Sequence, residues 1–128
     1  MARILIIEDD EKVLNLLVRF MVLDGHEVET AENGLIGLEM IGSRQYDLLI
    51  TDIVMPEQDG IGVLMELRKM QSKLKTIVIT GGSLKLDIDD LMKLAKVMKA
   101  DKVLMKPLDF ENLSLIVAEL LKSAEETI

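Results

Sequence analysis

Residues 3–10 read RILIIEDD. Four aliphatic residues, Ile4 to Ile7, stand in a row with nothing polar between them, and then three carboxylates follow. A strand with one wet face alternates apolar and polar side chains, because successive side chains point to opposite faces. An unbroken apolar run of this length needs cover on both faces, as in a parallel sheet flanked by helices. Such a strand ends by delivering Glu8 and Asp9 to its carboxyl edge, with Asp10 and Glu11 continuing into whatever helix follows.

Four more strand-like runs lie downstream: HEVET (26–30), DLLIT (47–51), TIVIT (76–80) and KVLM (102–105). Helix-like patterns over 11–24, 34–44, 61–72, 87–99 and 110–126 separate and follow them. The punctuation agrees, since Asp24-Gly25 closes the first helix, Asn33-Gly34 opens the second and Gly60 starts the third. Strand, helix and strand at this spacing build right-handed βαβ units. The expectation is one α/β domain over residues 1–128, a doubly wound (βα)5 parallel sheet with no linker, repeat or low-complexity segment.

Composition sets the outer limits. The 128 residues are 49% hydrophobic and 30% charged, within the globular range, and the absence of cysteine excludes disulfides and thiolate metal sites. MARILIIEDD is no signal peptide, and no apolar run is long enough for a membrane span, so a cytoplasmic protein without a membrane partner is expected. Net charge is −8, concentrated in residues 1–60, where 13 acidic side chains face 4 basic ones. That excludes the electrostatic footprint of direct nucleic-acid binding and favours a cation site, although a solvated acidic surface accounts for much of it.

In open parallel α/β sheets, ligands gather beyond the carboxyl ends of the strands. There the first strand delivers Glu8 and Asp9, the third Asp52, the fourth Thr80 followed by Gly81-Gly82, and the fifth Lys106 followed by Pro107. The second, ending at Thr30, adds nothing. Singly, each has an ordinary role as a helix cap, a strand terminus or a solvated lysine. Together they are three carboxylates, a hydroxyl and an amine at one rim. Two carboxylates about 4 Å apart repel by several kcal/mol even at an effective dielectric near 20, so three need a cation. All-oxygen donors suit Mg2+, which takes one or two carboxylates and completes its octahedron with water or phosphate oxygens. A hydroxyl and an ammonium beside it suit a phosphoryl group, which points to phosphoryl transfer onto an aspartate.

These motifs, in this order, resemble the receiver domain of bacterial two-component response regulators. ILIIED is similar to the family's first strand and acidic pair, and DIVMPEQDG (52–60) to its phosphoacceptor segment. IVITGG and LMKP are similar to the strand ends carrying its hydroxyl and lysine, and DGHEVETAENG to its second strand. The likeness covers roughly residues 3–122. It implies a flavodoxin-like fold with strand order 2-1-3-4-5 and a phosphoryl group received on Asp52 from a histidine kinase or histidine phosphotransfer protein. It implies further that Asp9, Asp52 and the Val54 carbonyl ligate Mg2+, that Glu8 binds it through water, and that Thr80 and Lys106 contact the phosphoryl oxygens. Met55-Pro56 would shape the acceptor loop.

The sequence departs from the family where an aromatic switch residue is common, since Val103 stands three residues before Lys106, and the stretch GGSLKLDID (81–89) is longer than usual. Signalling is therefore expected through 81–89 and the 87–99 helix, with an inward stripe of Ile88, Leu91, Met92, Ala95 and Met98 and an outward pair of Leu94 and Val97. In the first helix, Val13, Leu14, Leu17, Phe20 and Met21 form the core stripe, while Leu16, Val18, Val22 and Leu23 lie off it. Val13 and Leu16 are candidates for kinase docking. Met65 and Met98 fall on core spacing, and His26, the single histidine, is expected at a surface or strand edge.

Two rivals stand beside this reading. An aspartate-nucleophile phosphatase needs a second aspartate two residues after the first, where Val54 stands. A receiver-like scaffold that takes no phosphoryl group lacks one of the key residues, and all are present here. The chain closes on ENLSLIVAELLKSAEETI without an effector, so a stand-alone receiver with an unknown protein target and a piece of a longer regulator are both open.

Overall fold

The computed structural model describes residues 2–52, 60–69, 74–80 and 100–126, together with Asp89, Lys93 and Lys96. Among them, strands β1 (Arg3–Ile7), β2 (Glu27–Ala31), β3 (Leu48–Asp52), β4 (Lys75–Thr80) and β5 (Lys102–Met105) form one sheet in the order β2-β1-β3-β4-β5. Every pairing is parallel. The helices are α1 (Glu11–Leu23), α2 (Gly34–Ser43), α3 (Gly60–Lys69) and α4 (Phe110–Glu126). The doubly wound, flavodoxin-like architecture is therefore present. The helix expected over 87–99 falls outside the described residues except for Asp89, Lys93 and Lys96, which are helical and exposed.

The unbroken apolar runs are covered on both faces. Ile4, Ile6, Leu48, Ile50, Ile77 and Ile79 point to one side, where Leu17 and Met21 of α1 and Leu113 and Val117 of α4 close over them. Leu5, Ile7, Leu49 and Val78 point to the other, against Val63 of α3 and the partly buried Leu38 and Ile41 of α2. Each fully buried Leu or Ile is worth about 1.5–3 kcal/mol relative to exposure, so this two-sided cover is the main driving force for the sheet. Phe20 of α1 and Phe110 of α4 stack with ring centroids 4.5 Å apart.

Local signals act as expected at the helix ends. Asp10 caps α1, its side chain accepting from the Lys12 and Val13 backbone N–H groups at 3.0 and 3.4 Å. Asn33 caps α2 by accepting from Ile36 N–H at 2.9 Å. Gly25 leaves α1 at φ 91°, a conformation that costs a residue with a side chain more than it costs glycine.

Several expectations need correction. β2 runs one residue later than expected, to Ala31, and β3 includes Asp52 instead of stopping before it. Val18 does not lie off the α1 stripe, because it packs partly buried against the core that α1 shares with α4. Met65 is 45% exposed and is not a core residue, because the core contact of α3 is made by Val63. Met98 lies outside the described residues.

The amino edge of the sheet is finished by side chains that precede the strands. His26, just before β2, accepts at Nδ1 from Ala2 N–H at 3.3 Å. Asp47, before β3, accepts from Arg3 N–H at 2.8 Å, and Asp101, before β5, accepts from Thr76 N–H at 2.8 Å. On the β2 flank, Glu29 accepts from the Tyr46 hydroxyl and from Arg44, each at 2.6 Å. Burial and that carboxylate push the Tyr46 phenol up to about 12.

Candidate functional site

Glu8, Asp52 and Lys106 reach one place for a reason visible in the pleat. Glu8 follows the parity of Ile4 and Ile6, Asp52 that of Leu48 and Ile50, and Lys106 that of Leu104, all on the α1/α4 face. The order β1-β3-β4-β5 then sets their strand ends side by side. Lys106 Nζ lies 2.7 Å from Glu8 Oε1 and 2.8 Å from Asp52 Oδ2. One oxygen from each of Glu8, Asp9 and Asp52 lies within 4.8 Å of the other two.

Burial makes this arrangement costly. Glu8 is 2% and Asp52 5% exposed, while Asp9 is open to solvent. The second carboxylate oxygen of Glu8, Oε2, is buried with no hydrogen-bond partner among the described residues. Two ionised carboxylates have no donor between them, so a proton or a cation must supply what is missing. Burial first, then the neighbouring Asp52 carboxyl, push Glu8 up to about 8, against the opposing pull of Lys106. Burial alone would lower the Lys106 ammonium, but hydrogen bonds to Asp52 and Glu8 outweigh it and hold the group above its usual value. Among the described residues one ammonium is shared between the two buried carboxylates, so with both ionised negative charge would be in excess. The all-oxygen donor set and the partnerless Glu8 oxygen fit a hard divalent cation.

Thr80 ends β4 at 1% exposure, and its carbonyl accepts from Lys106 N–H at 2.9 Å, tying the ends of β4 and β5 together. Val54, Met55 and Pro56 lie outside the described residues, as do Gly81 and Gly82. The Lys106 contact with Glu8 was not legible in the sequence, since nothing in the spacing says which carboxylate a lysine 98 residues away will meet. Leu16 stands 43% exposed on α1, whereas Val13 is partly buried against the core.

Comparison with known proteins gives this arrangement a class. The model of the response regulator receiver domain matches residues 4–118, and the chain belongs to that family. Among curated relatives, the transcriptional regulatory protein CpxR homolog of Haemophilus influenzae is 35% identical over 97% of this chain and 52% of its own length. The transcriptional regulatory protein PcoR of Escherichia coli is 34% identical over 97% of this chain and 53% of its own. The chain thus spans about half the length of these relatives. Among solved structures, a CheY-like response regulator receiver domain protein from Methanospirillum hungatei superposes with a TM-score of 0.90 at 27% identity, covering 100% of this chain and 99% of that one. The response regulator TrrA of Thermotoga maritima, crystallised with Mg2+ and BeF, gives 0.80 at 34% identity, covering 94% and 99%. No helix among the described residues is long and apolar enough to cross a membrane.

Proposed function

We propose that Asp52 accepts a phosphoryl group from the phosphohistidine of a histidine kinase or a histidine phosphotransfer protein. The observation that carries this reading is the nearly buried Asp52 carboxylate, with Lys106 at 2.8 Å and the Glu8 and Asp9 carboxylates in the same cluster. A carboxylate oxygen of Asp52 attacks phosphorus opposite the imidazole nitrogen. The new P–O bond forms as the P–N bond breaks, and the released imidazole keeps the bonding pair. Lys106, already hydrogen-bonded to the attacking carboxylate, turns toward the incoming phosphoryl oxygens, with the Thr80 hydroxyl as a second donor.

Asp9 and Asp52 would hold Mg2+ directly, with the backbone carbonyl of Val54 as a further ligand and Glu8 acting through water. When bound, the cation neutralises charge on the transferring group. By this reading, the chain catalyses only its own phosphorylation and dephosphorylation. Its acidic balance argues against direct nucleic-acid contact. The greater length of its curated relatives supports output through an effector domain, with a separate protein target as the alternative. The exposed Leu16 supports kinase docking on α1. A cytoplasmic location fits a histidine-kinase pathway.

The test is intact mass after incubation with Mg2+ and acetyl phosphate. The wild type is expected to gain one phosphoryl group, and Asp52→Asn none. A folded wild type of unchanged mass overturns the reading, and a gain retained by Asp52→Asn moves the acceptor elsewhere.

A further inference from the structure

α1 and α4 lie side by side over one face of the sheet, where both close the core around Ile6 and Ile50. Each follows a strand of the same parallel sheet back toward the amino edge, so the two helices run in the same direction. Their inner sides meet at the Phe20–Phe110 stack, with ring centroids 4.5 Å apart. That stack sets the last turn of α1 level with the first turn of α4. On the outer sides at this level, Leu23 of α1 is 74% and Leu115 of α4 70% exposed, more than any other large apolar residue among those described. A single aliphatic side chain in water is ordinary, but a patch shared by neighbouring helices marks a contact surface.

The charges beside these leucines are opposite in sign. Arg19 stands one turn before Leu23, and Glu111 one turn before Leu115. Both are exposed, and neither belongs to an ion pair among the described residues. Arg19 is also one of four basic residues in the acidic first half of the chain, residues 1–60. Two chains of net charge −8 repel in most orientations, so a second copy is admitted only where opposite charges face each other.

We propose that this face is self-complementary and joins two copies of the chain in a symmetric dimer, α1 of each packed on α4 of the other. A two-fold axis running along the helices keeps every residue at the level that the Phe20–Phe110 stack sets. Arg19 then meets the partner's Glu111, and one turn on Leu23 meets the partner's Leu115. The two-fold repeats both contacts and closes the pair, leaving no free copy of the patch to extend it. The dimer does not depend on Asp52 being the phosphoacceptor.

Sedimentation equilibrium between about 1 µM and about 1 mM protein tests it. The wild type is expected to approach twice the 14.3 kDa mass of one chain at the upper end. Arg19→Glu and Glu111→Arg are each expected to stay monomeric, because either one places like charges at both contacts. An equimolar mixture of the two is expected to recover the dimer, since each contact then sets an arginine against a glutamate. Leu115→Ser, which changes no charge and sits at an exposed position, is expected to weaken association about tenfold or more. A wild type that stays monomeric throughout overturns the proposal. So do charge variants that dimerise like the wild type, a mixture that remains monomeric, and species larger than a dimer. Should a charge reversal lower the melting temperature, Arg19→Gln and Glu111→Gln carry the test instead, and wild-type association in both overturns it equally.

Discussion

The two edges of the sheet treat polar groups in opposite ways. At the amino edge, His26, Asp47 and Asp101 each accept one backbone N–H, from Ala2 just before β1, from Arg3 of β1 and from Thr76 of β4, without crowding charge. At the carboxyl edge, Glu8, Asp9 and Asp52 cluster beside the Lys106 ammonium, and the buried Oε2 of Glu8 has no hydrogen-bond partner among the described residues. One edge is arranged for stability and the other gives some of it up, as functional sites commonly do. The same strands carry both, because a parallel ladder puts all its amino ends on one side and all its carboxyl ends on the other.

The sharpest way to break this division is to cut one contact at each edge. Lys106→Ala is expected to slow phosphorylation by acetyl phosphate about a hundredfold or more, as loss of a transition-state donor does. Asp101→Ala, which strips a charged acceptor from Thr76 N–H, is expected to cost about 1–3 kcal/mol of unfolding free energy in a denaturant titration and leave that rate close to wild type. An Asp101→Ala variant that loses the reaction to the same degree would show that the edges are not separable.

The edges should also answer pH with opposite signs. Glu8 binds its proton more tightly folded than unfolded, with the folded value near 8 against an ordinary 4.5. Its contribution is therefore full below about 4.5 and is lost as pH rises toward 8. In chelator-treated protein, the stability of the wild type minus that of Glu8→Gln should decline across that window. A flat difference would mean that the acidic cluster does not hold Glu8 protonated.

His26 is the smaller case. Burial, the first cause, lowers its value, against the pull of Asp24, and a neutral Nδ1 is what the Ala2 N–H needs. Its contribution is present above the ordinary 6.5 and lost as pH falls through the lowered folded value. The wild type minus His26→Gln difference should therefore grow as pH rises to about 6.5. A difference that shrinks instead would reverse the assignment for the amino edge.

Much of this was written in the sequence. The runs around Ile4–Ile7 and Leu48–Ile50 require cover on both faces, and their terminal residues Glu8 and Asp52 point to the site without any coordinates. Side-chain parity, a property of the pleat, brings these residues together. What stayed hidden depends on three-dimensional neighbours. Val18 packs against a core that α1 shares with α4, which the periodicity of α1 alone does not reveal, and Met65 is exposed although its spacing matches a buried stripe. Lys106 meets Glu8 as well as Asp52 because β1 and β3 are adjacent, and that adjacency followed from the family resemblance, not from periodicity. The amino-edge contacts of Asp47 and Asp101 look in the sequence like ordinary loop residues.

The Tyr46 pairing has a spectroscopic consequence. The chain has no tryptophan and one tyrosine, so its ultraviolet emission comes from a ring on the β2 flank, hydrogen-bonded to Glu29. A phenol donating to a carboxylate readily passes its proton on in the excited state, which dims the normal tyrosine band. The light this molecule gives off therefore follows the Glu29–Arg44–Tyr46 contact, and events around Asp52 register in it where they displace the strands against which Tyr46 packs.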